Sequence, residues 1–219
     1  MNINDLVQTI AIYALPVLFA ITLHEAAHGY VARHFGDLTA YAQGRVSLNP
    51  LRHIDPLGTI VVPLVMLVFS GFLFGWAKPV PVNYSALRKP RPHMAWVAAA
   101  GPAANLLMAV AWALLLKVAV LLPENSFSDP LELMSEAGIK VNVIFMCLNL
   151  LPIPPLDGGR IVASLLPRRA AWQFSRLEPW GIPLLLLLMF VPVYGSNALS
   201  FILSPLLSES SALIRAMVL

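Results

Sequence analysis

Apolar and polar positions fall in long blocks along this chain, with little of the short alternation that marks soluble helices and strands. Leu6 to Leu23 reads LVQTIAIYALPVLFAITL and runs straight into HEAAHGYVARH. A run of ~18 apolar residues supplies enough helical rise to cross a bilayer core. The pattern therefore predicts a helix from about Leu6 to His34, kinked at Pro16 and stopped at Gly36. His93 to Leu122 predicts a second span, and a third begins near Ala137, after a loop from Pro123 to Glu136, and ends in NLLPIPPLDGG. Trp180 to Val193 and Ala198 to Leu207 predict either one broken span or a short helical hairpin over about 180–207.

Two stretches break the pattern. Thr39 to Pro56 is polar, with Gly, Asn-Pro and Asp-Pro breaks, which predicts a loop with a short strand at Ala42 to Leu48. His53, within it, is expected at the surface or interface. Leu57 to Trp76 is apolar but interrupted by Pro63, Ser70-Gly71 and Gly75. Charge argues that it dips into the membrane and returns. A crossing would put Arg33, Arg45 and Arg52 opposite the remaining cations, whereas re-entry gathers them with Lys78, Arg88, Lys89, Arg91, Arg160, Arg168, Arg169 and Arg176 on one face, away from Glu124, Asp129, Glu132 and Glu136. Non-helical backbone is tolerated at that depth where protein or a water cavity covers it.

Composition bounds the class. Of 219 residues 58% are apolar and 11% charged, with a mean hydropathy of +0.77, so the chain reads as an all-α polytopic membrane protein of about four transmembrane helices, with a re-entrant segment and the short strand or hairpin beside the site. It is expected to be one integral-membrane domain over 1–219, its core at about 6–166. The single cysteine, Cys147, excludes an internal disulfide and reads as a small hydrophobe. MNINDL carries no Lys or Arg and no cleavage site follows, so the first span is expected to remain in the mature protein. A net charge of +3, with the basic residues near membrane segments, gives no reason to expect nucleic acid. Lys117 is expected to snorkel from its helix end.

The chemistry is concentrated at Leu23–Tyr30. His24 and His28, four apart, share a helix face where two imidazole nitrogens can close on one metal ion. Glu25 beside them completes H-E-x-x-H, in which the glutamate takes a proton from water. At membrane depth such residues mark functional sites. A catalytic zinc takes three protein ligands, and Asp157 is the candidate third: a carboxylate past an apolar span, on backbone broken by Pro152, Pro154 and Pro155 and freed by Gly158 and Gly159. The alternative is that Asp157 caps the short helix that follows. Depth favours a shared ion. His24 lies about 18 residues into its span and Asp157 about 20 into its own, roughly 27–30 Å of rise each, so both match if an odd number of crossings separates the spans. Asn105, an amide at depth, either makes an interhelical hydrogen bond or serves the site.

HEAAH in a membrane span, AGPAAN at Ala100–Asn105 and NLLPIPPLDGG at Asn149–Gly159, in that order, resemble the site-2 protease family of intramembrane zinc metalloproteases. FGWAKPVPVN at Phe74–Asn83 resembles its compact bacterial branch, without PDZ or CBS domain. The resemblance covers about residues 20–165. It implies one Zn2+ per chain held by His24, His28 and Asp157, Glu25 as catalytic base, and Asn149 with Asn105 holding the substrate backbone or oxyanion. It further implies transmembrane segments of membrane proteins as substrates and a bacterial cytoplasmic membrane, and charge and ligand depth together put the expected site toward its basic, cytoplasmic side. A helical substrate must unwind before attack, and the Ala42–Leu48 strand and the re-entrant segment are expected to take it as an added strand. A membrane metal carrier and an inactive homologue that binds membrane helices are the rival readings. A carrier calls for polar groups along a path, which this chain lacks, and an intact Glu25 opposes inactivity.

Overall fold

A computed structural model describes residues 3–65, 78–123, 125 and 127–218. Helix α1 runs Ile3–His34, α2 is the single turn Thr39–Ala42, α3 runs Pro90–Leu121, α4 Ser128–Asn149, α5 Asp157–Leu165, α6 Arg168–Ser175, α7 Glu178–Phe190 and α8 Ala198–Val218. The fold is the all-α polytopic membrane architecture that the hydropathy blocks predict. Among the described residues three helices, α1, α3 and α8, are long and apolar enough to cross a membrane. Helix α4 is of similar length to α8, but Asp129, Glu132 and Glu136 lie in its first half and Lys140 just past its middle, and it is packed among α1, α3 and α8. Leu107 and Leu121 on α3 stand more than 70% exposed, the surface that a bilayer covers.

Small residues set how closely the helices approach. Ala98, Gly101, Asn105, Ala109 and Ala113 are buried along one stripe of α3, which lets α1 and α4 come near. Gly138 on α4 lies against Trp112, where a Cβ would stand 2.2 Å from the indole. Beyond that contact, Trp112, Ile139, Val143, Met146, Leu185, Leu199, Leu203 and Ile214 form the main apolar core, which also buries Cys147. Lys117 is exposed on α3, and its ammonium is also held by protein. Its ammonium reaches Val218 O at 2.6 Å, a cation set on the carbonyl end of α8.

Several expectations change in the structure. Residues 42–48 form no strand: Gly44 turns with φ +64, and Arg45 sends its guanidinium to the Lys78 and Pro79 carbonyls, so no neighbouring strand offers a ladder. Among the described residues the one sheet is the hairpin Pro192–Val193 with Ser196–Asn197, which joins α7 to α8 and makes the C-terminal region a helical hairpin extending to Val218. His53 is fully buried, with Nε2 at 2.8 Å from Ser47 O, because the loop folds over it. The loop expected up to Glu136 is helical from Ser128, started by Asn125, whose side-chain oxygen accepts the Phe127 and Ser128 N–H groups.

Residues 66–77, most of the expected re-entrant segment, lie outside the described residues. Its first residues, through Val65, and Lys78 just beyond it are described. Pro56–Val61 opens it as a wide helical turn started by Asp55, and Lys78 N donates to His53 O at 3.0 Å. The chain therefore leaves and returns at the same point.

Candidate metal centre

The site begins with the i, i+4 spacing on α1. His24 and His28 are buried on the face turned to α3, and their Nε2 atoms lie 3.1 Å apart. The face is open because α3 presents Gly101 there: a Cβ on that residue would stand 2.5 Å from both His24 Cε1 and His28 Nε2. Asp157 arrives from the opposite side. After α4 ends at Asn149, the prolines turn the chain back, and Gly158 and Gly159 fit where a Cβ would strike Leu150 O at 2.2 Å and Pro154 N at 2.6 Å. Asp157 then lies in the first turn of α5, where the helix dipole favours a carboxylate. It does not cap that helix; Leu156 occupies the cap position, with no side-chain hydrogen bond.

Asp157 Oδ2 lies 3.2 Å from His24 Nε2 and 3.3 Å from His28 Nε2. With the 3.1 Å between the imidazoles, three donor atoms form a nearly equilateral triangle. A tetrahedral zinc with ligands at about 2.0–2.1 Å has ligand–ligand separations of about 3.3–3.4 Å, so the triangle matches one face of that tetrahedron.

The proton positions make the same point. His28 Nδ1 is 2.7 Å from Val97 O, a carbonyl that can only accept, so Nδ1 carries the hydrogen. His24 Nδ1 is 2.6 Å from Asn105 Oδ1, while Asn105 Nδ2 donates to Ala20 O and to Asn142 Oδ1. With the hydrogen on Nδ1, each ring in its neutral form turns an Nε2 lone pair toward the buried Asp157 Oδ2, which has no other hydrogen-bond donor. Three converging lone pairs at that spacing repel one another unless a cation lies among them. The three residues fit a metal ion, and a protonated histidine would be the only substitute.

Glu25 is half-buried beside His24, and its Oε2 accepts the Val80 N–H at 2.7 Å. Val80 belongs to the extended stretch Lys78–Asn83, which is fastened from two sides. Asp37, buried, accepts from Asn83 N at 2.7 Å and Thr39 N at 2.9 Å. Arg160 on α5 donates to the Tyr84 hydroxyl. Burial pushes the Tyr84 phenol up despite the adjacent guanidinium, so Tyr84 stays a neutral partner.

The structure brings His24, Glu25, His28, Asp157 and Asn105 together. Asn105 is fully buried behind His24. Asn149, at the end of α4, is half-buried, with Nδ2 donating to Phe145 O at 3.0 Å. Sequence reasoning passed over Asn142, Asp37, Tyr84 and Arg160. Asn142 left a trace, a lone amide within VNVIFM. The others carry no local signal, because their partners come from distant segments.

The profile of Peptidase family M50 matches residues 117–191, which include Asn149 and Asp157. YwhC of Bacillus subtilis, named provisionally as a zinc metalloprotease, is 39% identical over 188 residues, covering 84% of this chain and 82% of its own. Rip2 of Mycolicibacterium smegmatis, named in the same way, is 31% identical over 180 residues, covering 80% of this chain and 65% of its own. Rip2 of Mycobacterium tuberculosis is 28% identical over 179 residues, covering 80% of this chain and 65% of its own. No solved structure matches the chain.

Proposed function

The chain belongs to peptidase family M50, the site-2 proteases, and from that premise we propose that it is an intramembrane zinc metalloendopeptidase, cutting peptide bonds in or near the transmembrane segments of membrane proteins. The observation that carries this reading is the triangle of His24 Nε2, His28 Nε2 and Asp157 Oδ2, with Glu25 next to it, in a bundle of membrane-spanning helices. His24, His28 and Asp157 would hold the ion. Zinc, when bound, supplies a Lewis acid for the scissile carbonyl and makes water more acidic.

The chain's own residues do the rest. Glu25, with Oε2 fastened to Val80, accepts the proton of the attacking water at Oε1 and passes it to the leaving amine. Asn149, with one N–H turned into its own helix, has a second to offer the developing oxyanion. Asn105, hydrogen-bonded to His24 and enclosed by protein, acts by holding the ring in place of meeting substrate. The extended Lys78–Asn83 stretch, beside Glu25, replaces residues 42–48 as the edge along which an unwound substrate lies. The gathering of Arg45, Arg52, Lys78, Arg88 and Arg160 on one face supports a site toward the cytoplasmic side of a bacterial membrane.

Glu25→Gln tests the reading. The purified variant is expected to bind zinc as the parent does and to lose cleavage of a membrane-spanning reporter by at least ~100-fold, the lower range for a general base. Full activity in that variant would sink the proposal. Loss of parental cleavage on adding a chelator, restored by zinc, would exclude both a carrier and an inactive homologue.

A further inference from the structure

The hydrogen bonds behind His24 reach one residue further than ligand binding itself requires. Asn142 lies in the middle of α4, fully buried between Val141 and Val143, where an unsatisfied amide is costly. Its Nδ2 donates to Gly138 O, one turn back on the same helix, at 2.9 Å. A carbonyl only accepts, so the nitrogen must face Gly138 and Oδ1 must face away, toward α3. There it meets Asn105 Nδ2 at 3.0 Å. Asn105 is left with Oδ1 for His24 Nδ1, at 2.6 Å. An acceptor at that place requires the hydrogen on Nδ1 and leaves the lone pair on Nε2, toward Asp157.

The two metal-side imidazoles are thus fixed differently. His28 is set by the Val97 carbonyl, a backbone group that has no second orientation. His24 is set by an amide side chain, which can present oxygen or nitrogen. Ala20 O holds Asn105 Nδ2 at 3.3 Å, the longer of its two bonds, and Asn142 supplies the shorter. Gly138 lets α3 and α4 approach closely at this level, since any Cβ there would enter the Trp112 ring.

We propose that Asn142 is a positioning residue for the metal centre, acting through Asn105 to fix the ring orientation and proton position of His24. The inference rests on the reading of His24, His28 and Asp157 as ligands. Its specific content is that Asn142 has no influence on the metal except by way of Asn105.

The test is zinc affinity of the purified full chain in detergent, measured by competition with a chromophoric chelator, for N105L, N142L, their double variant and N142D. N105L is expected to weaken zinc by ~10–100-fold, the range for residues that hold a ligand. N142L, one step further out, is expected to weaken it by roughly 3–10-fold. The double variant should bind within about twofold of N105L, because the two act in series. N142D should return to within about twofold of the parent: its carboxyl accepts from Asn105 and, neutral when buried, donates to Gly138 O. A general packing role would give multiplying losses and no rescue. N142L with parental affinity, multiplying losses in the double variant, or N142D as weak as N142L would each overturn the inference. Where N142L does not fold, as judged by thermal unfolding of the metal-free protein, N142A takes its place in the same comparison. A parent that binds no zinc would overturn both this inference and the functional reading. A parent that loses zinc with His24→Ala but not with N142L would overturn this inference alone.

Discussion

At Gly101 the missing side chain is what lets two imidazoles meet a carboxylate. The space that a Cβ would take is the space in which His24 and His28 turn toward Asp157. Neither ring can retreat, since His24 is tied to Asn105 and His28 to Val97 O. Gly101→Ala is therefore expected to leave a folded helix, alanine being the better helix former, while weakening zinc by at least ~10-fold, the scale on which displaced ligands lose metal. Chelator competition on the purified variant measures this, and parental affinity would show that the rings have room elsewhere. Asp157→Asn removes the one formal negative charge from the proposed ligand set, and its zinc affinity should fall further than that of Gly101→Ala in the same assay.

Among the elements, the Lys78–Asn83 stretch depends on the turn after α1. Asp37 receives two backbone N–H groups, one from its own turn and one from Asn83. Hydrogen bonds to a charged group contribute roughly 1.5–3 kcal/mol each. Asp37→Ala is expected to free the stretch and with it the Val80 hold on Glu25. Zinc content should stay at the parental level while cleavage of a membrane-spanning reporter falls by ~10-fold or more, as the proposed general base loses its setting. Equal loss of zinc and activity would instead mean that Asp37 supports the whole site. Helix α7 stands in a comparable relation to the ligand loop. At Gly181 a Cβ would overlap Pro154 O at 1.6 Å, so α7 lies directly on the proline turn that delivers Asp157. Gly181→Ala should destabilise the protein by about 1–3 kcal/mol, the usual cost of overpacking, read as a lower thermal midpoint in detergent.

For the whole molecule the central matter is how many times the chain crosses the bilayer before Asp157. The hydrogen bond between Lys78 N and His53 O puts both ends of the intervening segment at one depth, and α3 is then the crossing that brings α4 back toward the histidines. Gln43 and Ser85, both exposed, flank that segment. Single cysteines at these positions, in a Cys147→Ser background, should react with a membrane-impermeant thiol reagent from the same side of sealed vesicles. Labelling from opposite sides would require a further crossing and would break the agreement between charge and ligand depth.

The chain's own order of residues determined the membrane architecture and pointed to His24, His28 and Asp157 as the candidate metal group that the fold brings together. Apolar blocks of spanning length report themselves locally, because hydrocarbon demands a continuous helix wherever they lie. The spacing of His24 and His28 is likewise local, a consequence of helical pitch. Asp157 could be proposed from its setting but not distinguished from a helix cap, since that choice depends on what lies across from it. Tertiary structure decided the rest: the absence of a strand at 42–48, the burial of His53, the C-terminal hairpin, and the line from Asn142 through Asn105 to His24. Each depends on a partner many residues away, and hydropathy and spacing record what a residue is without recording what the folded chain brings beside it.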